Sequence, residues 1–335
     1  MTYDLLVIGD EREGIDRAIS AAREGRRVAV IGARDTIPSL DVLQRAADHL
    51  AELPAVTMAA WRAEVTRLTR CQMLADCAEM ECLGIDRVSG KVQFVSETSI
   101  EVVDCGESRV LSGARIVVAC GTRSRLPASL QCDGRFVLGV ESLLELDDVP
   151  QSVIVVGAGE TGLAAAILLA KLGVEVTVVD EHVSLREVCG IFDGSFDAVQ
   201  SLQIAFRLGD EVIGTERRLD LQAAVRLSSG GVLTADAILI CVGREGKTDG
   251  MNLEVAGVGL DERGRLWCDA RGQTWSSRIV AVGDIVGFSC QSARLRTDGR
   301  LLTSGSHVFR TRLPCHDDGH KSEEMEELGL NFTLI

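Results

Sequence analysis

The sequence predicts an α/β protein built from two parallel-sheet units, the second inserted into the first. Three observations carry this. One strand–glycine-loop–helix–strand pattern occurs twice, opening at Tyr3-Asp-Leu-Leu-Val-Ile-Gly9 and again at Ser152-Val-Ile-Val-Val-Gly157. Each copy is followed, after a stretch of shorter strands, by a buried-type apolar run that ends in glycine: Ile116–Gly121 and Ala237–Gly243. A last apolar strand, Arg278-Ile-Val-Ala-Val-Gly-Asp284, is expected to return to the first sheet beside Leu5–Ile8. The expected architecture is therefore two Rossmann-like domains, with residues 1–147 plus 271–312 forming the first, 148–270 the inserted second, and 313–335 a polar tail.

The second copy is intact. Gly157-Ala-Gly159-Glu160-Thr161-Gly162 follows a strand and opens a helix, and the next strand ends in Asp180. This is the dinucleotide fingerprint: glycines for a tight turn, close backbone approach to a pyrophosphate, and close helix–strand packing. The helix N-terminus offers free N–H groups and partial positive charge to the phosphates. Asp180 is placed to accept from the adenosine ribose hydroxyls, and its charge should repel a 2′-phosphate, which favours NAD over NADP. The bare alternative is a strand–turn–helix that merely needs glycines.

The first copy keeps the frame and loses the chemistry. The span from Gly14 to Gly32 equals that from Gly162 to Asp180, but Glu11 stands where Gly159 stands and Gly32 where Asp180 stands. Glu11 puts a side chain where a phosphate needs bare backbone, with Asp10 and Glu13 adding negative charge. A carboxylate ~5 Å from a phosphate charge costs roughly 3 kcal/mol at an effective dielectric of ~20. That is about two decades of affinity.

Along the chain, residues 39–51 and 57–83 read as helices separated by Pro54. Short strands follow at Lys91–Val95, Ser99–Val103 and Arg109–Leu111, then the run from Ile116 to Cys120, with turns at Ser89-Gly90 and Cys105-Gly106. Asp147–Pro150 reads as the linker into the second domain. Beyond the second fingerprint the stretch 183–203 is poorly patterned, and strands are expected near Ile204–Leu208 and Leu221–Leu227.

A net charge of -15 argues against nucleic acid as a partner. No window approaches ~20 uninterrupted apolar residues, so no membrane span is expected, and a strand close behind Met1 leaves no room for a signal peptide. The 11 cysteines are odd in number and scattered, which reads as reduced thiols in a cytoplasmic protein. Cys77 and Cys82 have a tempting spacing, but five residues along a helix rise ~7.5 Å, beyond disulfide reach. Cys315, His316 and His320 in the polar tail fall short of a metal site, and none is expected.

Both fingerprints, both strand–glycine endings and the final Ala281-Val-Gly-Asp284 together resemble the pyridine nucleotide–disulfide oxidoreductase family. Val242-Gly-Arg-Glu-Gly-Lys-Thr-Asp249, Gly257–Gly264, Thr36-Ile-Pro-Ser39 and Gly283-Asp-Ile-Val-Gly287 look most like its soluble pyridine nucleotide transhydrogenase branch. The resemblance covers roughly residues 2–305. It implies an FAD domain interrupted by an NAD(P) domain. By position it carries Gly9, Gly14, Gly121, Thr122 and Asp284 to FAD, with Asp284 toward the ribityl chain or, more plainly, capping a helix. It carries Gly157, Gly159, Glu160, Thr161, Gly162, Asp180, Gly243 and Arg244 to NAD. No catalytic side chain is singled out.

The departures are specific. Position 11 lacks the family's glycine and position 32 its acid. Only Ala33-Arg34-Asp35 fills the place of a glycine-rich loop that carries the redox cysteines. The C-terminal dimerisation domain, with its acid/base pair, is expected to be absent, and with it disulfide reduction. Two readings follow. One is an FAD/NAD(P)-dependent oxidoreductase of transhydrogenase-like type, passing hydride between NAD(H) and a flavin, impaired at the flavin site. The other is a non-catalytic NAD(H)-binding member acting as sensor or partner protein, with surface uncovered by the lost domain open to a protein partner or a second copy.

Overall fold

Valine and isoleucine runs buried on both faces make Thr2–Ile8 (β1) and Val28–Gly32 (β2) parallel neighbours. Between them Arg12–Arg23 (α1) turns Ile15, Ala18 and Ile19 inward at helical spacing. The structure, a computed structural model, describes residues 2–32, 40–50, 56–184, 202–217 and 222–287, and the backbone of two short strands, Arg294–Leu295 and Leu301–Leu302. The expectations for Ala33–Asp35, for Thr36–Ser39, for most of 183–203 and for the tail with Cys315, His316 and His320 fall outside the described residues.

Two helices come next, Leu40–Leu50 (α2) and Met58–Cys82 (α3), close to the expected bounds. Thr57 caps α3 by accepting from the Ala60 N–H at 3.2 Å. Strands Asp86–Ser89 (β3), Lys91–Ser96 (β4), Ser99–Asp104 (β5) and Glu107–Val118 (β6) complete a sheet in the order β3-β2-β1-β6-β5-β4. Two expectations are corrected here. Ser89, expected as a turn residue, ends β3, which pairs with β2 in parallel. The two pieces 109–111 and 116–120 form one strand to Val118, because the half exposed to solvent at 107–110 lacks an apolar pattern although it pairs with β5.

The short strand Thr122–Ser124 (β7) leads out of this sheet, and Val137–Leu138 (β8) opens the next. Ser152–Val156 (β9), Glu160–Lys171 (α4), Glu175–Asp180 (β10) and Ala205–Leu208 (β11) repeat the first unit's logic. An antiparallel meander follows: Val212–Arg217 (β12), Ala223–Leu227 (β13) and Val232–Ala235 (β14). Only its middle strand was expected. Ala237–Ile240 (β15) then enters the parallel sheet β11-β10-β9-β15-β8. One face of that sheet packs on the meander through Ile154, Val156, Ile238 and Val225, and the other on α4.

Arg244–Gly246 (β16) pairs antiparallel with β7, so the two chain crossings between the units form one ribbon. Leu266–Trp267 (β17) pairs with Val286–Gly287 (β19), and Ile279–Ala281 (β18) pairs with β6, in the sheet that holds β1. The expected domain limits depart from these pairings at two places. β8 lies ahead of the expected linker but belongs to the second sheet. Met251, Leu253, Val258 and Leu266 pack with Tyr3, Leu6 and Ile8 in the first core rather than the second. The first change-over falls in the loop of residues 125–136, which holds Pro127 and Gly134, rather than at Asp147–Pro150, and the second falls around the short strand β16. Helix α3 spans the joint: Trp61, Val65 and Leu68 sit with α2 and α4, while Met80 sits under α1.

Candidate functional site

The two glycine loops are built alike. Gly9 has φ +109° and a Cβ there would fall 2.0 Å from the Ala119 carbonyl oxygen; Gly157 has φ +104° and would meet the Cys241 carbonyl oxygen at 2.5 Å. Each loop therefore lies against the end of its neighbouring strand, where no side chain is tolerated. Gly14 and Gly162 pack against the strand side, a Cβ meeting the Ala119 side chain at 2.5 Å and the Gly157 carbonyl oxygen at 1.9 Å. Both loops open at the carboxyl ends of parallel strands, where α/β sheets hold ligands.

In the second loop Gly159 is the N-cap of α4, and a Cβ there would meet nothing within 4 Å. The first turn of α4, with Glu160 and Thr161, thus faces open space with its backbone N–H groups. These residues fit a dinucleotide phosphate. Asp180 is buried and already holds its own loop. Its Oδ2 accepts from the Ala158 N–H at 2.6 Å, and its Oδ1 from the His182 N–H at 2.9 Å and pairs with His182 Nδ1 at 2.8 Å. A carboxylate has about four acceptor positions, so Oδ2 keeps capacity for a ribose hydroxyl. The sequence reading missed this use of Ala158 and His182, although both stand within two residues of fingerprint positions.

In the first loop Glu11 is the N-cap of α1 but makes no side-chain cap bond. Its carboxylate lies across Gly121 instead: a Cβ on Gly121 would fall 1.7 Å from Glu11 Oε1 and 2.4 Å from its carboxyl carbon. The space that is open at Gly159 is here filled. Burial, then the charges of Asp284 and Glu13, push the Glu11 carboxyl up to about 7, against the pull of Lys247 and Arg244. Asp284 is exposed at the start of the turn Gly283–Ile285 and also faces Glu160, whose carboxyl is pushed up to about 7 by desolvation and then by Asp284. Asp284 is thus within electrostatic reach of both Glu11 and Glu160. Gly32 approaches Asp10 at 3.5 Å from an added Cβ, so an acid at 32 would stand beside another. Glu11 thus lies across the first loop, whereas the second is open at the matching Gly159.

Thr122 and Arg244 meet in the ribbon between the units. Arg244 Nε donates to Thr122 Oγ1 at 2.7 Å and Nη2 to the Thr122 carbonyl at 2.9 Å, and Nη1 lies 3.4 Å from Glu141. Its guanidinium is held by the ribbon between the units. Gly243 sits between β15 and β16 with φ +118°, and a Cβ there would lie 3.3 Å from Arg263 Nη1. Lys247, unmarked in the sequence, donates its N–H to the Gly121 carbonyl at 3.1 Å.

Burial and then Glu11 push the Cys120 thiol up to about 12, and burial and then Glu141 do the same to Cys241. Neither is a thiolate nucleophile near neutral pH. Cys77 and Cys82 lie on α3 and are unbridged. Among the described residues no group of three or more His, Cys, Asp or Glu side chains could hold a metal ion, and no helix is long and apolar enough to cross a membrane.

Comparison with known proteins agrees with this layout. The family model described as "Pyridine nucleotide-disulphide oxidoreductase" matches residues 3–303. A soluble pyridine nucleotide transhydrogenase of Mycobacterium bovis (strain BCG / Pasteur 1173P2) is 30% identical, with 92% of this chain and 70% of the relative covered. That of Hahella chejuensis is 26% identical, covering 90% and 70%. Among solved structures, LpdA of Mycobacterium tuberculosis superposes with a TM-score of 0.73 at 22% identity, covering 85% of this chain and 68% of that one. The HOCl-induced flavoprotein disulfide reductase RclA of Escherichia coli gives 0.72 at 22% identity, covering 85% and 67%. With two Rossmann-like units, two glycine loops and this match over most of its length, the chain belongs to the pyridine nucleotide–disulphide oxidoreductase family, whose members are FAD- and NAD(P)-dependent oxidoreductases.

Proposed function

We propose that this protein is a transhydrogenase-like oxidoreductase that binds NAD(H) at residues 157–180 and whose hydride exchange with a flavin is impaired at the first loop. The single observation that carries it is the contrast between the two loops: open space at Gly159, a carboxylate across Gly121 below Glu11. In this reading the flavin-type unit is residues 2–124 with 244–287 and the nicotinamide-type unit residues 133–242, α2 and the start of α3 leaning on the latter. The α4 N-terminus holds the pyrophosphate, and Asp180 keeps the glycine loop in shape while excluding a 2′-phosphate by charge. The odd number and scatter of the cysteines favour the cytoplasm. Glu11 also favours the second reading, an NAD(H)-binding member without turnover.

Titration calorimetry with NADH and NADPH tests the nicotinamide half. NADH should bind at least several-fold tighter, and Asp180→Ala should narrow the gap while weakening both, because it also releases the Ala158 N–H. Equal affinities in the unaltered protein would sink the assignment.

A further inference from the structure

Glu11 differs from a simple steric block in being titratable and in facing charges of both signs. Asp284 faces it from the turn after β18, Glu13 from its own helix and Lys247 and Arg244 from the ribbon strand β16 and its continuation; Cys120 lies beside it at the end of β6. Asp10 precedes it in the loop, and Glu160 approaches Asp284 from the opposite helix. The backbone around it is otherwise that of a working loop, matching the second copy at Gly9 and Gly14. What closes the site is one side chain that does not cap its helix and, among the described residues, makes no short ion pair.

We propose that Glu11 is a proton-operated stopper of the first loop: ionised, it holds the flavin dinucleotide out by charge and by lying across Gly121, and protonated, it swings off Gly121 and admits the pyrophosphate. This rests on the reading of the first loop as an impaired flavin site and adds its control. Protonation removes the repulsion between carboxylate and phosphate, and a neutral carboxyl can donate to a phosphate oxygen. It also leaves Lys247, which now faces Glu11, to face the phosphate. The raised titration of Glu11 puts the change near neutral pH rather than in acid. Apparent affinity scales with the fraction of competent, protonated protein, so FAD should bind roughly 30-fold tighter at pH 6 than at pH 8.5.

The test is uptake of FAD by the full chain at pH 6 and pH 8.5, read by flavin absorbance after gel filtration and by fluorescence titration, with circular dichroism confirming the fold at both values. Glu11→Gln and Glu11→Gly are carried alongside. The expected result is strong pH dependence in the unaltered protein, and binding at both pH values with that dependence gone in both variants. If the unaltered protein takes up no FAD at either pH while Glu11→Gly takes it up at both, the block is steric alone; the stopper is overturned and the impaired-site reading stands. Tight, pH-independent uptake by the unaltered protein overturns both. A pH profile in Glu11→Gln equal to that of the unaltered protein assigns the proton to another group and overturns the stopper.

Discussion

Glu11 and Gly159 hold the same position in two copies of one motif, and the side chain at that position decides what the loop can approach. The Glu11 carboxyl, raised from 4.5 to about 7 mainly by burial, has a consequence for stability. An acid whose folded-state pKa lies above its unfolded value binds more protons in the native state between the two. Its ionisation therefore costs stability as pH rises from about 4.5 to about 7, and the cost persists above. The upper bound is about 3 kcal/mol. Urea unfolding at pH 5 and pH 8 should show Glu11→Gln gaining on the unaltered protein at pH 8 by up to that amount, with little difference at pH 5; equal gains at both pH values would show the carboxylate to be well solvated. Much of this was legible beforehand, because a glutamate at a glycine position is visible in the letters. Its direction was not: nothing in the local sequence tells that the side chain reaches Gly121, which comes from a distant strand end. For the same reason the partners of Arg244, Thr122 and Glu141, were not legible, since the ribbon brings them to it.

At the scale of elements, helix α3 is the least expected part. Its apolar positions Met58, Trp61, Val65 and Leu68 follow helical spacing, so its existence was readable. Its destination was not, because that half packs with α2 and α4 in the second core while the other half leans on α1 through Met80 and the Arg12–Asp76 pair at 2.7 Å. Trp61 is 1% exposed. Trp61→Ala should cost ~3–5 kcal/mol, the range for truncating a buried aromatic. Thr57→Ala, which removes only the cap at the same end, should cost about 1 kcal/mol. Thermal or urea unfolding distinguishes them; a Trp61→Ala loss no larger than the cap's would mean that α3 is not docked on the second unit. The strands β3, β12 and β14 escaped notice because short, half-exposed strands carry little period-2 signal, whereas β1, β9 and β15 are buried on both faces and read as continuous apolar runs.

At the scale of the whole molecule, the chain leaves the first unit at β7 and returns at β16, and these two crossings pair with each other. Arg244 fastens the ribbon to Glu141, and Arg123 adds pairs to Glu245 at 2.7 Å and Asp249 at 2.6 Å. The second set is exposed and contributes little; the Arg244 set is partly buried and holds Thr122, which is 2% exposed. A carboxylate from the late turn, Asp284, is within electrostatic reach of both fingerprint helices. The repeat and the inserted order were legible because glycine spacing and buried runs recur in sequence. The limits of the units were less so, because two loops, at Leu126-Pro127 and at Asp147–Pro150, offer themselves as the linker and only the pairing of β8 with β15 places it at the first.

The central claim is that one loop keeps its nucleotide site and the other is closed by its own side chain. Flavin content per chain in the protein as purified at pH 8, from absorbance against protein concentration, tests it most directly. The account predicts a colourless or clearly substoichiometric protein that still binds NADH. One tightly held FAD per chain would contradict it.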